Sequence, residues 1–342
     1  DYLVLLEDMD RFMTDMMEYT QYYAAQGYFM ADSTLDAALE EMQDFVDKGE
    51  ENPLVIIFEN GVDKLGLDAE TTESYKLHNK SVVMGEILPA YEQAMKDLEA
   101  LRGSRKWADG ICNYPGGAEY YEAMLRFMSG TDMTMDEIYD LLGRCMDNAL
   151  DYYWMRNPDG IRNPGTVSMK SAEEVLQYLE GSLSMFPEIP SVNYEVSYLD
   201  PSVATPSVVA YYMKAPVDDF SHNVIRVNGD AVDSMNDLYM TLAHEGYPGH
   251  LYQAIYTLNN GRLYEINYAL GNMGYQEGWA MYVQNVMIRE AGLKKGDAAY
   301  YEVNELYNYL SSAQLDIGIN GYGWDVQQVW DYLDEDHAYY TE

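Results

Sequence analysis

Positive charge is scarce in this sequence: 20 Lys and Arg stand against 58 Asp and Glu, a formal net charge of -38. A field of that sign repels phosphate backbones and anionic lipid surfaces, so nucleic acid is not an expected partner. Solvated helix faces account for most of the acidity. Cysteine is scarcer still, with only Cys112 and Cys145. One possible pair assigns no redox compartment, the two lack zinc-motif spacing, and both are read as core residues. No run approaches the roughly 18 apolar residues of a membrane helix, which argues against a membrane-spanning segment. The opening "DYLVLLEDMDRF" has no basic stretch followed by an apolar one, so it does not read as an export signal. Compartment and oligomeric state stay open, with a secreted or cell-envelope location placed ahead of a cytoplasmic one.

What is plentiful is apolar and aromatic surface, 48% hydrophobic residues with 34 Tyr and 22 Met, ample for a folded interior. Tyr at helical spacing fills cores while its hydroxyl stays near water. Most of residues 1–186 read as helices joined by short polar breaks. Ser33 is expected to cap a helix carrying Leu35, Leu39, Met42 and Phe45. Thr134 with Glu137, and Ser171 with Glu174, are capping-box patterns. The segments "ENPLV", "NYPGG" and "RNPDGIRNPG" supply breaks. From about 187 to 230 the Pro-, Val- and Tyr-rich sequence predicts short strands, including one over 222–230, and helical patterning resumes near Ser234. The expected fold class is mainly α with a small β-sheet next to the helix that follows it.

That helix contains "TLAHEGYPGHLYQ". A hydrolytic zinc site needs about three imidazole or carboxylate ligands, an open position for water, and a carboxylate to take its proton. His244, Glu245 and His250 lie within seven residues, and Glu277 follows in "YQEGWAMYVQ" after a stretch long enough to turn at "NNG" and return. Only five histidines occur in the chain, and two are here. On a straight helix residues six apart diverge by about 240° and 9 Å, so one ion cannot hold both rings. Pro248 and Gly249 can kink or bulge the helix and swing His250 back onto the His244 face. Spacing alone leaves the metal site and an ordinary packing role both open.

At these residues the sequence resembles the bacterial domain of unknown function 885 (DUF885), whose signature runs His-Glu-x-x-Pro-Gly-His and then Glu-Gly-Trp-Ala. "YPGGAEYYEAMLRFMSGTDMTMDEIYDLLG" (114–143), "AYYMKAP", "VNGD" and "LDIGINGYGW" (315–324) are similar to other segments of that family. The resemblance implies a zincin-like helical metallopeptidase of the glutamate-ligand (gluzincin) type. It implies Zn2+ held by His244, His250 and Glu277, with Glu245 as general base toward a zinc-activated water. His222, Tyr322 and Asn320 are candidate oxyanion donors or substrate contacts. The site would lie in a cleft between a helical N-terminal portion, 1–186, and a catalytic portion, 187–342. The expected function is peptide-bond hydrolysis, with a zinc amidase or dipeptidase on small substrates, or an inactive peptide-binding relative, as alternatives. A peptide or small amide is the expected partner, and the strand at 223–228 could hold an extended peptide by edge pairing. Trp279 is expected to pack the ligand-bearing helices together. The chain departs from the family at Leu251, Gln284 and Asn320, where a histidine, a glutamate and a histidine are usual, and at its C-terminus, "HAYYTE".

Overall fold

In the first 109 residues Asn52 and Asp68 each start a helix with a side-chain cap. This computed structural model describes residues 2–160, 163–201, 203, 208–216, 221–260 and 271–336. Contacts divide the chain into two compact units, 1–109 and 110–342. The first contains α1 (Tyr2–Glu7), α2 (Met9–Ala24), α3 (Asp32–Asp47), α4 (Pro53–Asp63), α5 (Ala69–Val82) and α6 (Leu88–Ala100). Asn52 caps α4 by accepting from the Leu54 N–H at 3.0 Å, with Pro53 at the first helical position, so "ENPLV" is a helix start as well as a break. The cap expected at Ser33 is not formed. Ala31 is already extended, and Asp32 puts a carboxylate into the first turn, so α3 begins ahead of the serine. Two apolar clusters hold this unit, one around Val55, Val83 and Ile87 and the other around Ala24, Phe29 and Leu35.

The second unit runs through α7 (Gly117–Ser129), α8 (Met135–Arg156), α9 (Ala172–Gly181), β1 (Tyr194–Tyr198), β2 (Ala210–Met213) and β3 (Asn223–Val227). It continues with α10 (Met235–Glu245), α11 (His250–Asn259), α12 (Met273–Glu290), α13 (Lys295–Asp316) and α14 (Val326–Asp336). The Thr134–Glu137 capping box forms in full. At Ser171 only half of it does. The hydroxyl accepts from the Glu174 N–H, while the Glu174 carboxylate reaches the N–H of Lys170, one residue too early. Mainly helical, with one three-stranded sheet among the described residues, is therefore the observed class.

The strand order is β1-β3-β2, with β1 parallel and β2 antiparallel to β3. This corrects the expected docking role of the strand at 223–228. Neighbours occupy both edges of β3, so it has none to offer a peptide, and its alternating burial looks the same in a central strand as in an edge strand. Val175, Leu176 and Leu179 of α9 share one core with Ile225 and Val227 of β3 and with Tyr239 and Leu242 of α10. The change of sequence character near 187 thus falls inside the second unit. Cys112 and Cys145 are free, half-buried thiols. The "NNGRLY" turn lies mostly, and "HAYYTE" wholly, outside the described residues.

Candidate metal centre

The centre is built where α10 stops. Ser234 caps that helix, accepting from the Asp237 N–H at 3.2 Å, and Leu238, Tyr239, Leu242 and Ala243 bury its inner face. The helix ends at Glu245, a corner of four residues follows with a cis Tyr247-Pro248 peptide, and α11 begins at His250. The expected bulge is thus a complete break into two helices. Glycine permits it. A Cβ on Gly249 would lie 1.6 Å from the His244 carbonyl oxygen, and one on Gly246 would lie 2.6 Å from Leu176 Cδ2. Tyr247 is buried beneath the corner, and the Trp279 indole N–H donates to the Pro248 carbonyl at 2.9 Å. Trp279 also stacks on Tyr252 and meets Phe186 edge-on, so it packs α11 against α12 as expected.

The break brings the two imidazoles together, with ring centroids 4.7 Å apart and planes at 88°. Glu277, on the second turn of α12, places Oε2 3.2 Å from His244 Nε2 and 3.4 Å from His250 Nε2. One ligand atom from each residue lies within 4.8 Å of the other two. A tetrahedral Zn2+ with bonds of 2.0–2.1 Å has ligand atoms about 3.3 Å apart, which the two distances from Glu277 match. The histidine side chains are 15% and 19% exposed and that of Glu277 is 45% exposed, which leaves the centre open to solvent on the carboxylate side.

Hydrogen bonds orient the His244 ring. Gln284 lies seven residues after Glu277, on the same face of α12, and its Oε1 sits 3.1 Å from His244 Nδ1. The Gln284 amide NH2 donates to Glu305 Oε2 on α13. An amide oxygen accepts only, so His244 donates from Nδ1, and Nε2 is the nitrogen turned toward Glu277 and His250. Glu245 is held by the backbone N–H of Tyr212 on β2, which donates to its Oε2 at 2.8 Å. Burial pushes the Glu245 carboxyl up, opposed by the Tyr212 N–H and the charge of His244, and the nearby Glu277 adds to the rise. Burial first, and then the neighbouring His244, hold His250 below the usual histidine value against the pull of Glu277.

The other expected contacts fall elsewhere. Tyr322 donates its hydroxyl to Asp136 Oδ1 at 2.8 Å, at the start of α8. Asn320 ties the Ile111 N–H to Asp316 and serves the packing of 110–121 against 316–324. His222 is exposed just ahead of β3 and outside the ligand group. A hydroxyl and an ammonium that the sequence did not single out do sense the centre. Tyr309, on α13 one turn beyond Glu305, is raised by burial and then by the charges of Glu305 and Glu277. Lys214, just past β2, acts on His250. Helical spacing from Glu305 was the signal available for Tyr309, and seven-residue spacing from Glu277 was the one for Gln284. Leu251 is fully buried in the core shared by α9, β3 and α10.

The family model described as "Bacterial protein of unknown function (DUF885)" matches residues 1–146 and 155–342. The chain belongs to that family. Among solved structures it is similar to a candidate lipoprotein from Colwellia psychrerythraea, with a TM-score of 0.83 at 20% identity over 98% of this chain and 63% of that one. It is also similar to a candidate lipoprotein of unknown function from Shewanella oneidensis, with a TM-score of 0.50 at 16% identity over 88% of this chain and 61% of that one. At such identities the likeness speaks for the fold alone. This chain spans less than two thirds of the length of either protein. No curated protein matches the sequence.

Proposed function

We propose that this protein is a zinc metallopeptidase of the zincin-like, glutamate-ligand type, hydrolysing peptide bonds. The observation that carries the proposal is the convergence of His244, His250 and Glu277, whose ligand atoms lie within 4.8 Å of one another, with Glu245 close enough to feel the charges of His244 and Glu277. Bound there, Zn2+ would lower the pKa of water and polarise the scissile carbonyl. Glu245, its upward-shifted carboxyl anchored by the Tyr212 N–H, is suited to take the proton of the attacking water and pass it to the leaving amine. The exposed flank of Glu277 leaves an approach for substrate. Tyr309, whose hydroxyl feels the charges of Glu305 and Glu277, is a candidate donor to a developing oxyanion.

The committed hydroxyl of Tyr322 favours a second reading, a metal-bearing protein that binds peptides without cleaving them. Metal analysis of the purified protein and cleavage of a peptide library separate the two. The proposal expects one zinc per chain and turnover that Glu245→Gln abolishes while zinc remains. Zinc with no turnover on peptides or on small amides supports the binding protein, and no bound zinc ends both. A cell-envelope location is proposed alongside, supported by the lipoprotein descriptions of the two structural relatives. Among the described residues no helix is long and apolar enough to cross a membrane.

A further inference from the structure

The His244 imidazole is held on both edges by one helix, with Glu277 at Nε2 and Gln284 at Nδ1. The partner at Nδ1 is a neutral amide, backed by Glu305 from α13. A carboxylate in contact with a ligand imidazole raises its basicity and adds charge beside the ion, whereas an amide supplies orientation alone. An amide has two unlike ends, however, and left to itself it can turn either end toward the ring. Glu305 accepts only, so it draws the NH2 end and leaves the oxygen for His244. Gln284 is 2% exposed and Glu305 is partly buried, so little water competes for these bonds.

We infer that Gln284 and Glu305 are positioning residues for the metal centre, a buried carboxylate–amide relay that locks His244 in its Nδ1–H tautomer and aims Nε2 at the ion. The inference rests on the metal-centre proposal and adds to it a requirement on two residues that touch neither ion nor substrate. The amide and the carboxylate should be exchangeable only as a pair. Gln284→Glu alone sets two carboxylates face to face, while Gln284→Glu with Glu305→Gln restores an acceptor at Nδ1 and a donor behind it.

The test titrates metal-free protein with Zn2+ against a chromogenic chelator and records the visible absorption spectrum of the Co2+ form. Melting of each metal-free variant reports whether it folds. Relative to the unchanged protein, Glu305→Leu, which leaves the Gln284 amide free to turn, is expected to bind Zn2+ about 10–100-fold more weakly, the usual effect of losing an outer partner of a ligand histidine, and Gln284→Glu is expected to bind more weakly through the clash of its carboxylate with that of Glu305. Their Co2+ absorption should change as well. The double exchange should recover affinity to within a few-fold and restore the spectrum. Zn2+ binding by the unchanged protein with equal affinity in all variants, or a double exchange no better than Gln284→Glu, overturns the relay and leaves the metal centre standing. No Zn2+ binding by the unchanged protein overturns both.

Discussion

Gly249 and Gly278 each stand one residue from a proposed ligand, yet alanine at the two positions should act in opposite directions. At Gly249 the added carbon would meet the His244 carbonyl oxygen at 1.6 Å and that of Ala243 at 2.5 Å. Carbon and carbonyl oxygen ordinarily settle no closer than about 3.3 Å, so the first contact is about 1.7 Å too short. Both obstacles are backbone, and no side-chain rotation relieves them. The corner between α10 and α11 must open, at roughly 3–5 kcal/mol, beyond ordinary overpacking. Opening it moves His250 relative to His244 by more than the ~0.2 Å that a zinc site tolerates. At Gly278 nothing lies within 4 Å of the added carbon, and the position is inside α12, so alanine should gain up to ~1 kcal/mol. For a domain of this size each kcal/mol moves the melting temperature by about 2–4 °C. Gly249→Ala is expected to melt roughly 6–20 °C lower and to lose tight Zn2+ binding, whereas Gly278→Ala melts slightly higher and binds as before. Thermal melts with and without Zn2+ decide it. A Gly249→Ala protein within 2 °C of the parent and equal to it in Zn2+ affinity would refute the geometry of the corner.

Two further expectations concern pH and metal removal. Burial pushes the Glu305 carboxyl up, so its stabilising contribution is complete below the unfolded value of about 4.3 and is lost as pH rises through the higher folded value. Metal-free Glu305→Gln should therefore melt above the parent at pH 8, with the gap closing as pH falls toward 4; a gap that is constant or reversed counts against the buried-charge account. Stripping Zn2+ with a chelator should lower the melting temperature, since ligand at a hundredfold its dissociation constant stabilises by about 2.7 kcal/mol. His250→Ala should melt identically with and without chelator, and a chelator effect that persists in it would point to a different site.

Several helix starts and the broad order of elements were legible from local chemistry. Asn52, Thr134, Ser171 and Ser234 each cap a helix with their own side chains, and such a contact spans two or three residues. The order of the strands was not legible. Which of three strands lies in the middle depends on pairing between residues 11–29 apart, and β3 shows the same alternation wherever it sits. The partners of Tyr322 and Asn320 were not legible for a similar reason. A polar side chain carries no mark of its partner, and theirs, Asp136 and the Ile111 N–H, lie 186 and 209 residues away.

The sequence by itself determined the ligand types, the glycines at 246 and 249 without which two backbones could not approach so closely, and the mainly helical class. Only the tertiary structure decided that the helix breaks outright at Glu245, that Glu277 returns to face both imidazoles, and that Gln284 stands in at Nδ1 with Glu305 behind it. The physical reason is range. Backbone permission and side-chain chemistry are properties of a few neighbouring residues, whereas the meeting of three lone pairs depends on how α10, α11 and α12 pack around a shared core.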